Sequence, residues 1–360
     1  KSGILRENYW GAAPATGGCI MAQITLGRTG ITVNKNGFGA LPIQRISHQD
    51  AAKLLRRAFD GGIGFFDTAR VYSDSEEKIG LGLSDVRHQL YIATKTAAET
   101  AEDFWKDLHT SLTNLKTDYV DLYQFHNPAF CPRPGDKSGL YDAMLEAKQQ
   151  GKIRHIGITN HRLPVAREAI ESGLYETLQF PFSYLTGQQE LELVTLCREK
   201  NMGFLSMKAL SGGLITNSAA AYAFQAQYDT LPIWGIQRET ELDEFLGYIH
   251  NPPEMTPELE AVIQRDRKEL AGSFCRGCGY CMPTCPAEID IATAARMSLL
   301  LRRSPSAGHL NEKGQALMKK VEDCTHCGQC AAHCPYELDT PKLLEDNYRD
   351  YMEVLAGKPL

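Results

Sequence analysis

The stretch GIGFFDTARVY, residues 62–72, sets a short apolar run against an acid, Asp67, with Tyr72 five residues further on. On its upstream side, Gln49–Asp60 has helical spacing, with Ala52, Leu55, Ala58 and Phe59 on one face. On its downstream side, Tyr91–Lys95 is another apolar run that ends on a polar residue. The same rhythm continues outward. Strand-like runs occur at Gly37–Ala40, Gly64–Thr68, Tyr91–Lys95, Tyr119–His126, His155–Asn160, Leu178–Phe182, Gly203–Lys208 and Leu231–Ile236. Helical patterns follow most of them. Ala101–Leu115 aligns Phe104, Leu108, Leu112 and Leu115, and Gln188–Lys200 aligns Leu191, Val194, Leu196 and Cys197. Ile24–Asn34 reads as a hairpin around Gly27–Gly30.

Repeated strand-then-helix units imply parallel pairing with right-handed crossovers. Eight of them over residues 21–252 predict an α/β fold, a closed (β/α)8 TIM barrel. An open doubly wound sheet is the alternative, but no G-x-G-x-x-G follows the first strand.

The chain has 360 residues, a formal charge of −6, 43% hydrophobic and 23% charged residues. That balance suits a chain that buries a core and gives no footprint for nucleic acid. No apolar run reaches the length of a membrane span. Residues 1–20 lack the apolar core of a secretory signal and read as an upstream extension, so a reducing cytoplasm is the expected compartment.

Catalytic groups of such barrels sit at the C-terminal ends of strands. Asp67, Lys95, His126, Thr159 and Asn160 fall at those ends, Tyr72 just beyond one, and Gln179 inside LQFPFS. Each has an ordinary explanation: a helix cap, a solvated amine, a core imidazole, a packed phenol. Four such residues at successive strand ends are harder to explain separately.

The segments GIGFFDTARVY, YIATKT, YVDLYQFHNP, GKIRHIGITNH and LQFPFS come in an order and spacing that resemble an aldo-keto reductase. The resemblance implies that Asp67, Tyr72, Lys95 and His126 form a catalytic tetrad. Tyr72 would give a proton to an alkoxide, Lys95 would lower the phenol's pKa, Asp67 would hold Lys95, and His126 would orient the substrate oxygen. Thr159, Asn160 and Gln179 match positions that hold a nicotinamide carboxamide. Many members grip a 2′-phosphate after the eighth strand with Lys, Ser and Arg, and the adenine with Asn. Here the stretch PIWGIQRETELDEF aligns Gly235, Ile236, Glu241 and Phe245 with those positions. Glu241 would repel a phosphate, and Arg238 is a candidate substitute. The choice between NADP and NAD, or weak binding of either, stays open.

Eight of the eleven cysteines lie between positions 275 and 334. They read Cys275-x2-Cys278-x2-Cys281-x3-Cys285-Pro286 and Cys324-x2-Cys327-x2-Cys330-x3-Cys334-Pro335, the bacterial ferredoxin pattern twice over. In that pattern the fourth cysteine ligates the other cluster. Cys275, Cys278, Cys281 and Cys334 would then hold one 4Fe–4S cluster, and Cys324, Cys327, Cys330 and Cys285 the other. Zinc sites more often use two Cys-x-x-Cys pairs. Helical stretches at Ile291–Arg303 and Asn311–Val321 resemble the spacer of an α-helical ferredoxin-like domain, expected over residues 253–360. Pro257–Leu270 and Thr340–Leu355 are expected helices. His326 and His333 read as surface residues beside the second cluster. Cys131 reads as a surface thiol or a pocket residue, Cys197 as core, and Cys19 belongs to the extension.

The leading expectation is an NAD(P)-dependent oxidoreductase acting on a small carbonyl or alcohol, with two 4Fe–4S clusters for electron transfer. The alternative is an electron-transfer or structural iron–sulfur protein on a barrel with reduced or no nicotinamide activity. Hydride carries two electrons and a cluster usually one, so the clusters either brace the fold or serve a redox partner protein.

Overall fold

The computed structural model describes residues 23–270, 274–277, 281–303, 306–334 and 338–359. Cys19, Cys278 and residues 1–20 lie outside them.

The expected hairpin is present. β1 (Gln23–Thr25) pairs antiparallel with β2 (Thr32–Asn34), and Gly27 and Gly30 take the left-handed backbone of the turn. Eight strands then close a parallel barrel: β3 (Gly37–Gly39), β4 (Phe65–Asp67), β5 (Tyr91–Thr96), β6 (Val120–His126), β7 (Ile153–Thr159), β8 (Thr177–Pro181), β9 (Gly203–Met207) and β10 (Leu231–Gly235). They neighbour one another in chain order, and β10 returns to β3. Each coincides with one of the expected runs.

Helices cover the outside: α1 (His48–Asp60), α2 (Ser75–Leu83), α3 (Ala101–Leu115), α4 (Leu140–Gln149), α5 (Leu163–Ser172), α6 (Gln188–Glu199), α7 (Ser218–Ala226) and α8 (Glu239–His250). α3 buries Phe104, Leu108, Leu112 and Leu115 as its spacing predicts. Two faces are rotated from expectation. α1 buries Ala51, Leu54, Leu55 and Ala58, leaving Ala52 and Phe59 partly exposed. α6 buries Glu190, Leu193, Val194 and Cys197, while Leu191 and Leu196 are partly exposed.

The hairpin stoppers the N-terminal end of the barrel. Leu26, Ile31 and Val33 join Phe65, Ala93, Leu122, Leu205, Leu231 and Ile233 in one apolar cluster. The Arg28 guanidinium fastens the hairpin by donating to the carbonyls of Gly173, at 2.9 Å, and Tyr175. Strand side chains alternate faces, so the next inward residue lies two positions further on. That residue is Asp67 above Phe65, Lys95 above Ala93 and Gln124 above Leu122. The barrel is therefore apolar at the bottom and charged near the top. Gly157 makes room for this polar layer, since a Cβ there would stand 2.4 Å from Thr177 Oγ1 and 2.9 Å from Gln124 Cγ.

After the barrel, α9 (Pro257–Leu270) packs Ile263 into the barrel's outer core. The rest of the chain forms a second apolar cluster from α10 (Ile291–Ala294), α11 (Met297–Arg303), α12 (Ala307–Leu310), α13 (Glu312–Lys319), α14 (Gln329–Ala332) and α15 (Thr340–Leu355). The single helix expected over Ile291–Arg303 is two helices with a break at residues 295–296. Asn311 caps α13 rather than beginning it, accepting from the Gly314 N–H at 2.9 Å. Among the described residues no helix is long and apolar enough to cross a membrane.

Candidate active site and cysteine-rich domain

β4, β5 and β6 end side by side, and their register places Lys95 beside Gln124 and Asp67 beside Ala93. The Lys95 ammonium donates to both carboxylate oxygens of Asp67, at 2.7 and 2.8 Å, and to the Thr68 carbonyl at 2.6 Å. Its three donors are thus all used. Burial pushes the Asp67 carboxyl up and the Lys95 ammonium down, and each partner's charge opposes the shift. Gln179 donates to Asp67 at 3.2 Å and accepts from Gln124 at 2.9 Å.

Tyr72 and His126 lie above this pair. Their rings meet edge to face with centroids 5.7 Å apart, and Lys95 Nζ stands 5.5 Å from the Tyr72 ring centroid. The geometry brings the four tetrad residues together, but one electrostatic expectation fails. Burial and the nearby Asp67 raise the Tyr72 phenol instead of lowering it. The ammonium expected to lower it is neutralised by a carboxylate at 2.7 Å. Burial and the Lys95 charge pull the His126 imidazole down to about 3, so it is neutral near pH 7, and its buried Nδ1 has no hydrogen-bond partner.

Thr159 ends β7 next to His126 and Gln179, with Met207 Sδ at 3.8 Å from its hydroxyl. Asn160 is fully buried and spends its amide on backbone. It donates to the Pro128 carbonyl at 2.9 Å and accepts from the N–H groups of His161 and Arg162. Cys131 is 5% exposed within the barrel's outer core, so it is not a surface thiol. Cys197 is core, as its helix face predicts. Sequence reading missed Gln124. The two-residue spacing to His126 in YVDLYQFHNP marks it as an inward neighbour.

After β10, Arg238 pairs with Glu241, its Nε and terminal nitrogen lying 2.8 and 2.5 Å from Oε1. The other oxygen of Glu241 accepts the N–H groups of Gln237 and Arg238 at 3.0 and 3.1 Å. Glu241 therefore caps the start of α8 from its third residue, the half of a capping box that an arginine at the N-cap permits. The helix N-terminus and the one candidate phosphate-binding arginine both face this carboxylate.

In the C-terminal domain, Cys285, Cys324, Cys327 and Cys330 line one cavity, so the fourth cysteine of the first run stands with the first three of the second. Cys275 and Cys334 are close enough to interact: burial pushes the Cys275 thiol up, the Gly277 N–H, at 3.3 Å, and Arg296 oppose that rise, and Cys334 adds to it. Among the described residues no cysteine forms a disulfide, and no three His, Cys, Asp or Glu side chains gather around a single-metal position. An all-thiol donor set spread around a cavity suits a multi-iron cluster, in which each thiolate takes a different iron. His326 faces Glu345 at 3.5 Å, and His333 Nδ1 lies 2.8 Å from the Gln329 carbonyl.

A family model for the aldo/keto reductase family matches residues 35–220. The chain belongs to the aldo/keto reductase family. A second model, for a 4Fe-4S dicluster domain, matches residues 274–339. This aldo/keto reductase is 32% identical over 210 residues to L-galactose dehydrogenase of Arabidopsis thaliana, spanning 53% of this chain and 66% of that protein. It is 37% identical over 134 residues to methylglyoxal reductase DkgB of Escherichia coli O157:H7, spanning 35% of this chain and 48% of the relative. The chain thus spans about half to two thirds of the length of these curated relatives. Among solved structures it resembles an aldo-keto reductase from Bacillus halodurans in its holo form, with a TM-score of 0.60 at 20% identity over 69% of this chain and 96% of that one. It also resembles an aldo/keto reductase from Klebsiella pneumoniae in complex with NADP and acetate, with a TM-score of 0.56 at 19% identity, over 68% of this chain and 95% of that one. The two structural likenesses establish the fold, and the enzyme is an oxidoreductase of this family with an appended iron–sulfur domain.

Proposed function

We propose that this enzyme interconverts a small carbonyl compound and its alcohol, with Tyr72 holding and giving the proton and a nicotinamide as the hydride carrier. The observation that carries the reading is the buried Asp67–Lys95 pair beneath Tyr72 and His126 at the open end of the barrel. A bound nicotinamide would supply or accept the hydride. The chain's own residues do the rest. Neutral His126 orients the carbonyl oxygen by a hydrogen bond. Tyr72 keeps its proton in the resting protein, because burial disfavours the phenolate, and delivers it once an alkoxide develops. An alkoxide is a stronger base than a phenolate, so a raised phenol pKa does not prevent the transfer. Asp67 fixes Lys95 and Gln179 braces Asp67, so the pair holds one geometry beneath Tyr72 while the proton moves.

Thr159, Asn160 and Gln179 are proposed as carboxamide contacts, with Asn160 and Gln179 having to exchange present partners to make them. The Arg238–Glu241 pair favours NAD over NADP, because a 2′-phosphate would meet the Glu241 carboxylate. Glu241→Ser is expected to shift the ratio of kcat/KM values towards NADPH by about tenfold, the effect of one charge contact. The two thiol sets, Cys275, Cys278, Cys281 and Cys334, and Cys285, Cys324, Cys327 and Cys330, are proposed to hold two 4Fe–4S clusters. These would carry single electrons to or from a redox partner protein. Carbonyl reduction assayed for Tyr72→Phe tests the central claim. A fall in kcat of about 10²–10⁴-fold is expected. Unchanged activity would refute the proton donor.

A further inference from the structure

A groove runs along one face of α15, from Pro341 to Ala356, and Val321, Glu322, Cys324 and His326 form its opposite wall. Cys324, His326, Pro341 and Leu344 also line the cavity of the second thiol set, so groove and thiol cavity share a wall. The helix explains the character of the groove. α15 turns Leu344, Tyr351 and Val354 into the domain core. Glu345, Tyr348, Arg349, Met352 and Ala356 recur at three- and four-residue steps, so they make a second stripe along the groove. Met352 stands in the middle of that stripe, 46% exposed, and Leu355, 39% exposed, follows three residues on. A flexible thioether on an open groove adapts to the shape of whatever docks there.

The charge of the rim is unevenly spread. Glu322 accepts a hydrogen bond from the Tyr348 phenol across the groove. Glu345 faces His326 at 3.5 Å. Among the described residues neither carboxylate has a lysine or arginine partner. The other charges are matched. Glu353 pairs with Lys358 at 2.6 Å, Arg349 with Asp346, and the adjoining Asp323 with Lys320 at 2.9 Å. The uncompensated charge of the groove is therefore negative, and it stands beside Cys324, the thiol that the groove reaches.

We infer that this groove is the docking surface for a basic one-electron carrier protein, which lays an apolar contact on Met352 and sets cationic side chains against Glu322 and Glu345. The inference rests on the electron-transfer role proposed above for the clusters. The transfer it serves moves one electron between the second cluster and the carrier, one being oxidised as the other is reduced, with no bond made or broken. Complementary charge steers the encounter and the apolar floor holds it. Redox encounters are small, burying less than about 1,200 Å², and a groove along one helix suits that size.

Calorimetry on the oxidised, cluster-loaded full chain tests it, with oxidised mitochondrial cytochrome c as the basic probe and a flavodoxin as the acidic one. Cytochrome c is expected to bind with a Kd of about 10–100 μM at low ionic strength, and more weakly as salt is added. The flavodoxin should not bind. The Glu322→Gln, Glu345→Gln double variant should weaken cytochrome c binding about tenfold and flatten its salt dependence. Met352→Ser should weaken binding and leave the salt dependence as it was. Visible absorbance of the clusters should be unchanged in these surface variants. Wild-type affinity in the double variant, or tighter binding of the flavodoxin, would overturn the docking site. So would a dimer in sedimentation that Met352→Ser dissolves, since the groove would then belong to a second copy of the chain. Anaerobic dithionite reduction followed by electron paramagnetic resonance tests the underlying reading by itself. Clusters that stay unreduced would overturn both, whereas reducible clusters with unaltered binding in the variants would sink the docking site alone.

Discussion

Lys95 spends every N–H it has on Asp67 and Thr68, in a site that is 1% exposed. Such a pair is sensitive to single removal. Lys95→Met leaves a buried carboxylate and should lower unfolding free energy by about 3–5 kcal/mol, whereas the Lys95→Met, Asp67→Asn double variant should recover much of that loss. A denaturant double-mutant cycle reads the coupling directly. His126 supplies a pH test. Its native pKa of about 3 lies below the ordinary 6.5, so the unfolded chain binds more protons throughout that window. Stability should therefore fall as pH drops from about 6.5 towards 3, by up to about 1.4 kcal/mol per unit from this residue. His126→Gln should flatten the slope of stability against pH between 6 and 4, measured by urea melts. Asp67, Lys95 and His126 were readable one by one because each stands at a strand end, and Tyr72 because it follows one closely. The phenol's raised pKa was not, because it depends on how completely Asp67 cancels Lys95, a distance that no spacing encodes. Cys131 was misread for a similar reason: its burial comes from the packing of the loop after β6, not from its neighbours in sequence.

The strands were the most legible elements, since eight short apolar runs could pair only in parallel. The faces of α1 and α6 were less so. In α1 the doublets Ala51-Ala52 and Leu54-Leu55 satisfy helical spacing in two rotations, and contact with α2 chooses between them. That contact is close. A Cβ at Gly82 would stand 3.0 Å from the Ala52 carbonyl, and one at Gly80 would stand 2.1 Å from the Asn114 carbonyl of α3. Gly80→Ala must spread α2 from α3 and should cost about 1–3 kcal/mol, visible as a lower midpoint in chemical denaturation. The break in Ile291–Arg303 was also hidden. Nothing in the local pattern forbids one continuous helix there, yet ending α10 at Ala294 is what sets Arg296 against Gly277. Glu241 was noticed as a charge, but three residues into α8 it is also placed to accept the N–H groups that open the helix. That second reading explains why the Arg238–Glu241 pair is locked together.

At the scale of the whole molecule, α9 is the strap between barrel and cysteine-rich domain. It grips Tyr184, in the loop after β8, at two points. Asp266 accepts from the phenol, and Arg267 Nε donates to the Tyr184 carbonyl at 2.7 Å. Tyr184→Phe strands the Asp266 carboxylate and should weaken the docking of α9 by about 1–3 kcal/mol. Hydrogen exchange along residues 257–270 should speed up while the exchange of β4–β6 stays unchanged. The placing of Cys285 with Cys324, Cys327 and Cys330 was foreseeable from two cysteine runs of the same form. The junction between domains was not, because Phe274, 4% exposed in the barrel's outer core, and Arg276, bound to the Leu185 carbonyl at 3.2 Å, dock on loops distant in sequence.

The stoppered lower end has a consequence for traffic. With Leu26, Ile31 and Val33 filling the bottom, the barrel is a cul-de-sac, and whatever reaches Tyr72 must leave by the door through which it came. Part of the door frame belongs to the other domain, since Phe274, Arg276 and Arg296 stand at the rim. Arrival and departure then compete for one passage. Exchange of substrate and product therefore depends on the residues of that rim as well as on the chemistry behind it.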